Sequence, residues 1–259
     1  MVRKLEEKDR KITMEYLAYE PSINLFALGD IELFGFDKEF QDVWGSFDER
    51  GELNGVLLRY NDNFIPYYKE ADFDDAEFKK IISAFEDDTM ISGKESIINN
   101  YVNLLPDKKV KRMYFCELTS KELLKENSAD IKTAKVSDAA RIQALLETIE
   151  EFDRPTTQKE IEERISDKSG RIYYMEDSDG QMMSVSQTTA ENSRSAMIVG
   201  VATAKAYRNR GLMRVCLSKL CADVLSEGKT LCLFYDNPKA GSVYHKLGFE
   251  SIDKWVMIQ

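Results

Sequence analysis

From residue 130 onward the apolar positions follow recognisable periods. "DIKTAKV" (130–136) reads as a strand, and Ile142, Leu145, Leu146 and Ile149 repeat at helical spacing behind Ser137, a capping residue type. Past Pro155, Thr157 and Glu160 have capping-box spacing, and Ile161 and Ile165 continue a second helix. Three strands follow, "RIYYME", "QMMSVSQTT" and "SAMIVGVATA", joined by "DSDG" and "ENSR"; Asp179-Gly180 is a strong hairpin signal. Leu212, Val215, Cys216, Leu220 and Val224 give a long helix one apolar face, and Gly228 stops it. "LCLFY" (231–235) is a short continuous apolar run, as a central strand is. Asn237 and Pro238 open another helix that ends at Gly248, and "FESIDKWVMI" closes as a strand. The order is strand, two helices, three strands, helix, strand, helix, strand.

The first half is less regular. Its pattern predicts helices near 3–18, 22–33, 73–86 and 94–105, and strands at "FQDVWGSFD", "LNGVLLRYNDNFIPYY" and "KVKRMYFCELT". The polar stretch 117–130 reads as a linker, so the expected domains are an α+β domain over 1–129 and a second domain over 130–259. Strand and helix patterns following one another place the chain in the α/β (α+β) class.

Composition narrows the function. No apolar run reaches the roughly 18–20 residues of a membrane span, and the charged N-terminus does not resemble a signal peptide. A cytoplasmic protein is expected. Four cysteines without a C-x-x-C pair, and the single His245, argue for buried reduced thiols and against a metal site. A net charge of −10 disfavours nucleic acid and anionic membrane as partners. Residues 1–129 hold 18 Lys/Arg against 27 Asp/Glu, while residues 130–259 hold 18 against 19. The acidity therefore lies in the first half, where it serves solubility or draws in a cationic substrate.

The chemistry concentrates in "IVGVATAKAYRNRGLMR" (198–214). A strand ends in Arg208 and Arg210 around Gly211, where a helix starts. A helix start offers unpaired backbone N–H groups and the positive end of a dipole, so this joint is an anion seat. "YRNRGLM", followed by "YDNPKAGSVYHKLGFE", resembles the GNAT superfamily of acyl-CoA-dependent N-acetyltransferases. Arg208, Asn209, Arg210, Gly211, Leu212 and Met213 stand at the family's R/Q-x-x-G-x-G/A motif; Met213 departs from the usual Gly or Ala, so its side chain must point away from a bound phosphate. Asn237, Ala240, Tyr244, Gly248 and Phe249 match the second motif. Arg-x-x-Gly alone arises by chance about once in a chain of this length. The two motifs in sequence are far more specific, and they cover roughly residues 130–259.

The resemblance implies a GNAT fold, with a mixed, mostly antiparallel central sheet flanked by helices. It implies acetyl-CoA as co-substrate and no metal, its pyrophosphate on the loop 208–213, with Gly211 allowing close approach. Val201 and Thr203 would line the pantetheine arm, along a strand that splays from its neighbour. Asn237 and Ala240 would complete the cofactor side. Tyr244 would protonate the departing thiolate as general acid. The base is open: Glu150, Glu151, Glu191 and water are candidates, and Ser184 and Gln187 could line the acceptor pocket. His245, about 100° around the helix from Tyr244, reads as a packing or surface residue.

The resulting expectation is an N-acetyltransferase acting on a small amine, with a homodimer left open. The first half, which echoes the second without its phosphate motif, reads as a degenerate GNAT-like half or as an unrelated α+β domain. The rival reading of the whole is a non-catalytic acyl-CoA sensor on the same fold.

Overall fold

The computed structural model describes residues 1–85, 88–125, 129–150, 152 and 156–259. The chain forms two compact units, one of Met1–Phe115 with Ile252–Gln259 and one of Cys116–Ser251.

The first unit contains β1 (Val2–Lys4), α1 (Arg10–Leu17), α2 (Leu25–Phe34), β2 (Gln41–Phe47), β3 (Leu53–Tyr60), β4 (Asn63–Tyr68), α3 (Ala76–Ile82), β5 (Met90–Lys94), α4 (Glu95–Ile98) and most of β6 (Val110–Leu118). The predicted helix at 3–18 therefore begins as a strand: Val2–Lys4 pairs antiparallel with β2, and Arg3 is turned onto Asp9 at 2.7 Å. The strand-patterned stretch 53–68 forms two strands, β3 and β4, paired as a hairpin that turns at Asn61 (φ 50°). The helix expected at 94–105 continues past Ile98 only as a 3-10 segment.

The second unit follows with β7 (Lys132–Thr133), α5 (Ala139–Glu147), α6 (Gln158–Ser166), β8 (Ile172–Glu176), β9 (Met182–Thr189), β10 (Ser195–Thr203), α7 (Leu212–Ser226), β11 (Thr230–Tyr235), α8 (Pro238–His245) and the start of β12 (Glu250–Ile258). This is the predicted order. Thr157 and Glu160 form their reciprocal capping box, and Asn237 caps α8 with Pro238 at its first position. Ser137 does not cap α5; it lies in a 3-10 turn (Val136–Asp138), where the Asp138 carboxylate accepts from the Lys135 N–H.

Both halves of the chain run β-α-α-β-β-β-α-β-α-β, which makes the first a structural repeat of the second. Strand order is β1-β2-β3-β4-β5-β12 in the first unit and β11-β10-β9-β8-β7 in the second, where the end of β6 (residues 116–118) lies beside β11. The described pairings are antiparallel except β4–β5 and β10–β11, which are parallel. The mixed, mostly antiparallel sheet expected from the sequence is present.

The units differ from a cut at 129/130, because the first takes most of β12 from the second half of the chain and the second takes the end of β6 from the first. β12 pairs with β5 through Val256↔Gly93 and Ile258↔Ile91, and Trp255 packs on Phe26 and Phe115 with ring centroids 5.7 and 5.6 Å apart. Cys116 and Leu118, at the end of β6, are fully buried among Leu217, Leu220, Leu247 and Phe249 of the second unit.

A fragment of residues 130–259 thus lacks Cys116 and Leu118 and strands Trp255, Val256 and Ile258 without their partners. Each missing core side chain costs about 2–5 kcal/mol. We expect this fragment to melt without a cooperative transition, while a 116–251 fragment melts cooperatively by circular dichroism. Equal cooperativity in the two would contradict the division.

Candidate active site

The site grows from a break in a strand pair. β10 and β11 are held parallel only through Ser195↔Thr230, Ala196↔Leu231 and Met197↔Cys232. Beyond that point β10 runs on to Thr203 and β11 to Tyr235 with no further described pairing to each other. On its other edge β10 loses register with β9 between Val199 and Ala202. Gly200 there takes φ 55°, and an added Cβ would fall 2.2 Å from Gln187 Nε2. A bulge of this kind bends its strand and increases its twist. Gly200 and Val201 consequently have no ladder partner among the described pairings, and the Gly200 carbonyl accepts from the Gln187 side chain instead. Thr203 is placed differently from Val201: it pairs with Ser184, and its carbonyl accepts from Arg208 Nε at 3.3 Å.

The chain leaves β10 at the parted end and enters α7 through Arg208–Gly211. Asn209 (φ 63°) and Gly211 (φ 75°) both take the left-handed conformation, which turns successive N–H groups to the same side. The first amide to find a helical acceptor is Val215, bonded to the Gly211 carbonyl. Among the described residues, the N–H groups of 209–214 donate to nothing. Arg208, Asn209, Arg210 and Gly211 are all exposed, and nothing lies within 4 Å of a Cβ built on Gly211. The loop is braced rather than loose. Arg210 donates to the Ala206 carbonyl and covers the Tyr207 ring, and the Tyr207 hydroxyl donates to Asp177 in the β8–β9 turn. Leu212 and Met213 turn their side chains onto the core beneath α7. The residue that departs from the motif therefore keeps its side chain off the exposed amides.

α8 supplies the second wall. Asn237 is occupied as the helix cap, accepting from the Lys239 N–H at 2.9 Å, and Ala240 is half-buried behind it. Gly241 is needed for packing: an added Cβ would lie 2.4 Å from the Tyr235 ring at the end of β11. Tyr244 sits against Tyr235 and Phe249, with centroids 6.1 and 6.0 Å apart. Its hydroxyl has no hydrogen-bond partner among the described residues. Burial pushes its pKa up to about 12, so it holds its proton at neutral pH. His245 is a clamp. The Phe249 carbonyl, 2.7 Å from Nδ1, can only accept, so Nδ1 carries hydrogen; in the neutral ring Nε2 then accepts from the Tyr235 hydroxyl at 3.0 Å. The sequence carried no signal for the Tyr235–His245 clamp beyond Gly241.

The remaining candidates separate. Gln187 is buried and donates through Nε2 to the Gly200 carbonyl, at the bulge. Ser184 bonds the Ala202 carbonyl at 2.9 Å. Glu150 is exposed, and Glu151 lies outside the described residues. Glu191 is not a base for this site. It belongs to the β9–β10 turn, at the closed end of the strand pair, where Arg171 holds it through two hydrogen bonds of 2.9 and 2.7 Å and Thr188 donates to it. These contacts hold its pKa below the usual carboxylate range despite burial.

The first unit repeats the frame without the chemistry. β4 and β5 pair in parallel only at Asn63↔Met90 and Phe64↔Ile91. Next to the unpaired stretch, Ile98 Cδ1 would touch a Cβ built on Gly93 at 3.1 Å, and the Pro66 carbonyl would lie 3.6 Å away. The segment joining β4 to α3 carries Glu70, Asp72, Asp74 and Asp75 in place of arginines. Its Phe73 stacks on Tyr68 at 4.4 Å. Lys69 is the one cation of that segment, which is net acidic.

The ion-pair network gives a pH test. Arg171 bridges Glu191 and Glu227, and the latter is depressed to about 2, first by its hydrogen bond to Arg171. A carboxylate free in the unfolded chain titrates near pH ~4.3. The unfolded state therefore takes up protons first as pH falls, and the stabilisation present above about pH 4.3 is lost toward pH 2. Glu191→Gln should lower stability at pH 7 by about 1–3 kcal/mol and flatten this acid limb. Urea unfolding at pH 7 and pH 3 checks both; an unchanged acid limb would remove Glu191 from the network's energetics.

The sequence profile described as GNAT acetyltransferase matches residues 74–258. No curated protein sequence matches the chain. Among solved structures, a Drosophila protein is similar over 100% of this chain and 98% of its own, with a TM-score of 0.74 at 10% identity. A tandem GNAT protein from the clavulanic acid biosynthesis pathway is similar over 99% of this chain and 97% of its own, with a TM-score of 0.62 at 14% identity. A GCN5-related N-acetyltransferase from Sphaerobacter thermophilus is similar over 99% and 94%, with a TM-score of 0.64 at 12% identity. At these identities the structures speak for the fold, including its two-domain form, while the profile covers well over half of the sequence: the chain belongs to the GNAT acetyltransferase family.

Proposed function

We propose that the second unit binds acetyl-CoA and transfers its acetyl group to the primary amine of a small acceptor. The observation that carries this reading is the parting of β10 from β11 after Met197↔Cys232, with the unpartnered N–H groups of 209–214 at its mouth. Oriented amides and a helix start suit a pyrophosphate, and Arg208 and Arg210 add positive charge at the rim. Acetyl-CoA supplies an acyl group on a thioester, which an amine attacks directly as the carbon–sulfur bond breaks. The backbone at Val201, outside both ladders, is available to a thioester and a pantetheine arm, and an N–H aimed at the developing oxyanion lowers the barrier. Tyr244 holds the proton that the departing sulfur takes. With Glu191 locked in an ion pair, the proton of the amine passes to water. The first unit lacks the phosphate loop, so cofactor chemistry is assigned to the second alone. The same features favour the enzyme over a sensor, because a sensor has no use for an unpartnered acid beside the strand parting.

Gly211→Glu places a carboxylate among the exposed amides. Acetyl-CoA affinity by calorimetry is expected to fall at least about tenfold. An unchanged affinity in the folded variant would remove this loop as the phosphate seat. Tyr244→Phe keeps the ring and removes the proton. The acyl-transfer rate in single turnover should drop by roughly 10²–10⁴-fold with little change in acetyl-CoA affinity. A near-normal single-turnover rate would assign protonation of the thiolate to water.

A further inference from the structure

Arg164, on α6, is half-buried and under-partnered. Burial pulls its pKa down, and Glu160 and Asp167 on the same segment oppose that shift. Neither reaches it: among the described residues Arg164 forms no ion pair. Arg171 in the same unit shows the contrast, since it carries two carboxylates, Glu191 and Glu227. Arg164 instead donates from Nη1 to Gln187 Oε1 at 2.9 Å. Gln187 passes the connection on, its Nε2 donating to the Gly200 carbonyl at 3.2 Å.

This relay has little slack. Gly200 leaves no room for a Cβ beside Gln187 Nε2, and a Cβ on Gly170 would lie 3.0 Å from Arg164 Cδ. The guanidinium is therefore held one glutamine away from the bulge where the acyl carbonyl would sit. A guanidinium has five N–H donors in a planar fork suited to a carboxylate, and Gln187 takes one.

The two faces of the sheet divide the substrates. Tyr173, Met175, Ala196 and Ile198 turn toward α7, whose N-terminus is the phosphate seat. Ile172, Tyr174, Val185 and Ala202 turn toward α5 and α6, the side of Arg164. A cofactor laid in from the α7 side leaves the α6 side of the bulge to the acceptor.

We propose that Arg164 binds a carboxylate of the acceptor, so that the acceptor is an amino acid or a similar carboxylate-bearing amine. This rests on the acyltransferase reading of the same site. Gln187 acts as a positioning residue that fixes the guanidinium relative to the strand edge.

The test compares amino acids with their decarboxylated amines as matched pairs: glycine with methylamine, phenylalanine with phenethylamine, lysine with 1,5-diaminopentane. Thiol release from acetyl-CoA is followed for each, and binding is read by thermal shift in the presence of CoA. The wild type should favour the carboxylate-bearing member of at least one pair by tenfold or more in kcat/KM. Arg164→Met should raise KM for that member at least tenfold, leaving the KM for the matched amine and for acetyl-CoA unchanged, and Arg164→Lys should recover part of the loss. If Arg164→Met does not fold, Arg164→Gln serves: it removes the charge, keeps an N–H donor for Gln187 Oε1, and should weaken the carboxylate-bearing acceptor at least tenfold more than the matched amine. A preference for the decarboxylated amine in every pair overturns the proposal, as does an equal loss for both members in the variants. So does a wild type that neither acetylates nor binds a carboxylate-bearing amine, whatever its affinity for acetyl-CoA. That affinity, measured by calorimetry, decides the cofactor reading on its own.

Discussion

One backbone irregularity organises the second unit. At Gly200 the strand takes a left-handed φ of 55° and slips its register on β9, and its described pairing with β11 stops at Cys232. Main-chain groups without partners are costly when buried, and here they recur where an acyl-CoA would supply partners of its own. The phosphate loop, Tyr244 and Arg164 take their meaning from this break. α7 starts at its mouth, α8 packs on the end of the strand that forms its far wall, and Gln187 ties α6 to its carbonyl.

The duplicated halves show which layer of the sequence holds function. Both carry the same succession of ten elements, and both contain one parallel pair that stops after two or three residues. The frame tolerates wide change because apolar periodicity is enough to specify it. The loop chemistry does not survive such change. Replacing arginines and a left-handed glycine by Glu70, Asp72, Asp74 and Asp75 turns an anion seat into an anion-repelling loop without touching the sheet.

Much of this was legible in the sequence. The element order from 130 onward, the capping box at Thr157 and the cap at Asn237 follow from short-range rules, and the structure keeps them. Residues 208–213 and Tyr244 could be singled out because their chemistry is local or motif-bound. What the sequence hid is long-range. Nothing in "FESIDKWVMI" says that it pairs with Met90–Lys94, because strand periodicity specifies a face and not a partner. Glu191 looked available because its partner Arg171 is twenty residues away, across a hairpin. Arg164 went unnoticed for the opposite reason. A lone arginine on an amphipathic helix reads as solvated, and only the fold reveals that its neighbour is Gln187 and that no carboxylate among the described residues reaches it.

Charge sets the final constraint. The protein carries a net charge of −10, and both the proposed cofactor and the proposed carboxylate-bearing acceptor are anionic. The long-range field of such a chain opposes them, although at physiological ionic strength it fades over about 8 Å. Recognition must then come from short-range, oriented donors whose geometry is set before the ligand arrives. The amides of 209–214 meet this need at no cost in net charge, and the left-handed turns at Asn209 and Gly211 fix their direction. In the proposed acceptor site Arg164 would meet it with a single cation whose position is held by Gln187 and whose other donors bond no described residue. An acidic protein can in this way bind two anions, provided that its few positive groups are not neutralised internally; Arg171, paired with two carboxylates, shows what neutralisation does to an otherwise similar arginine.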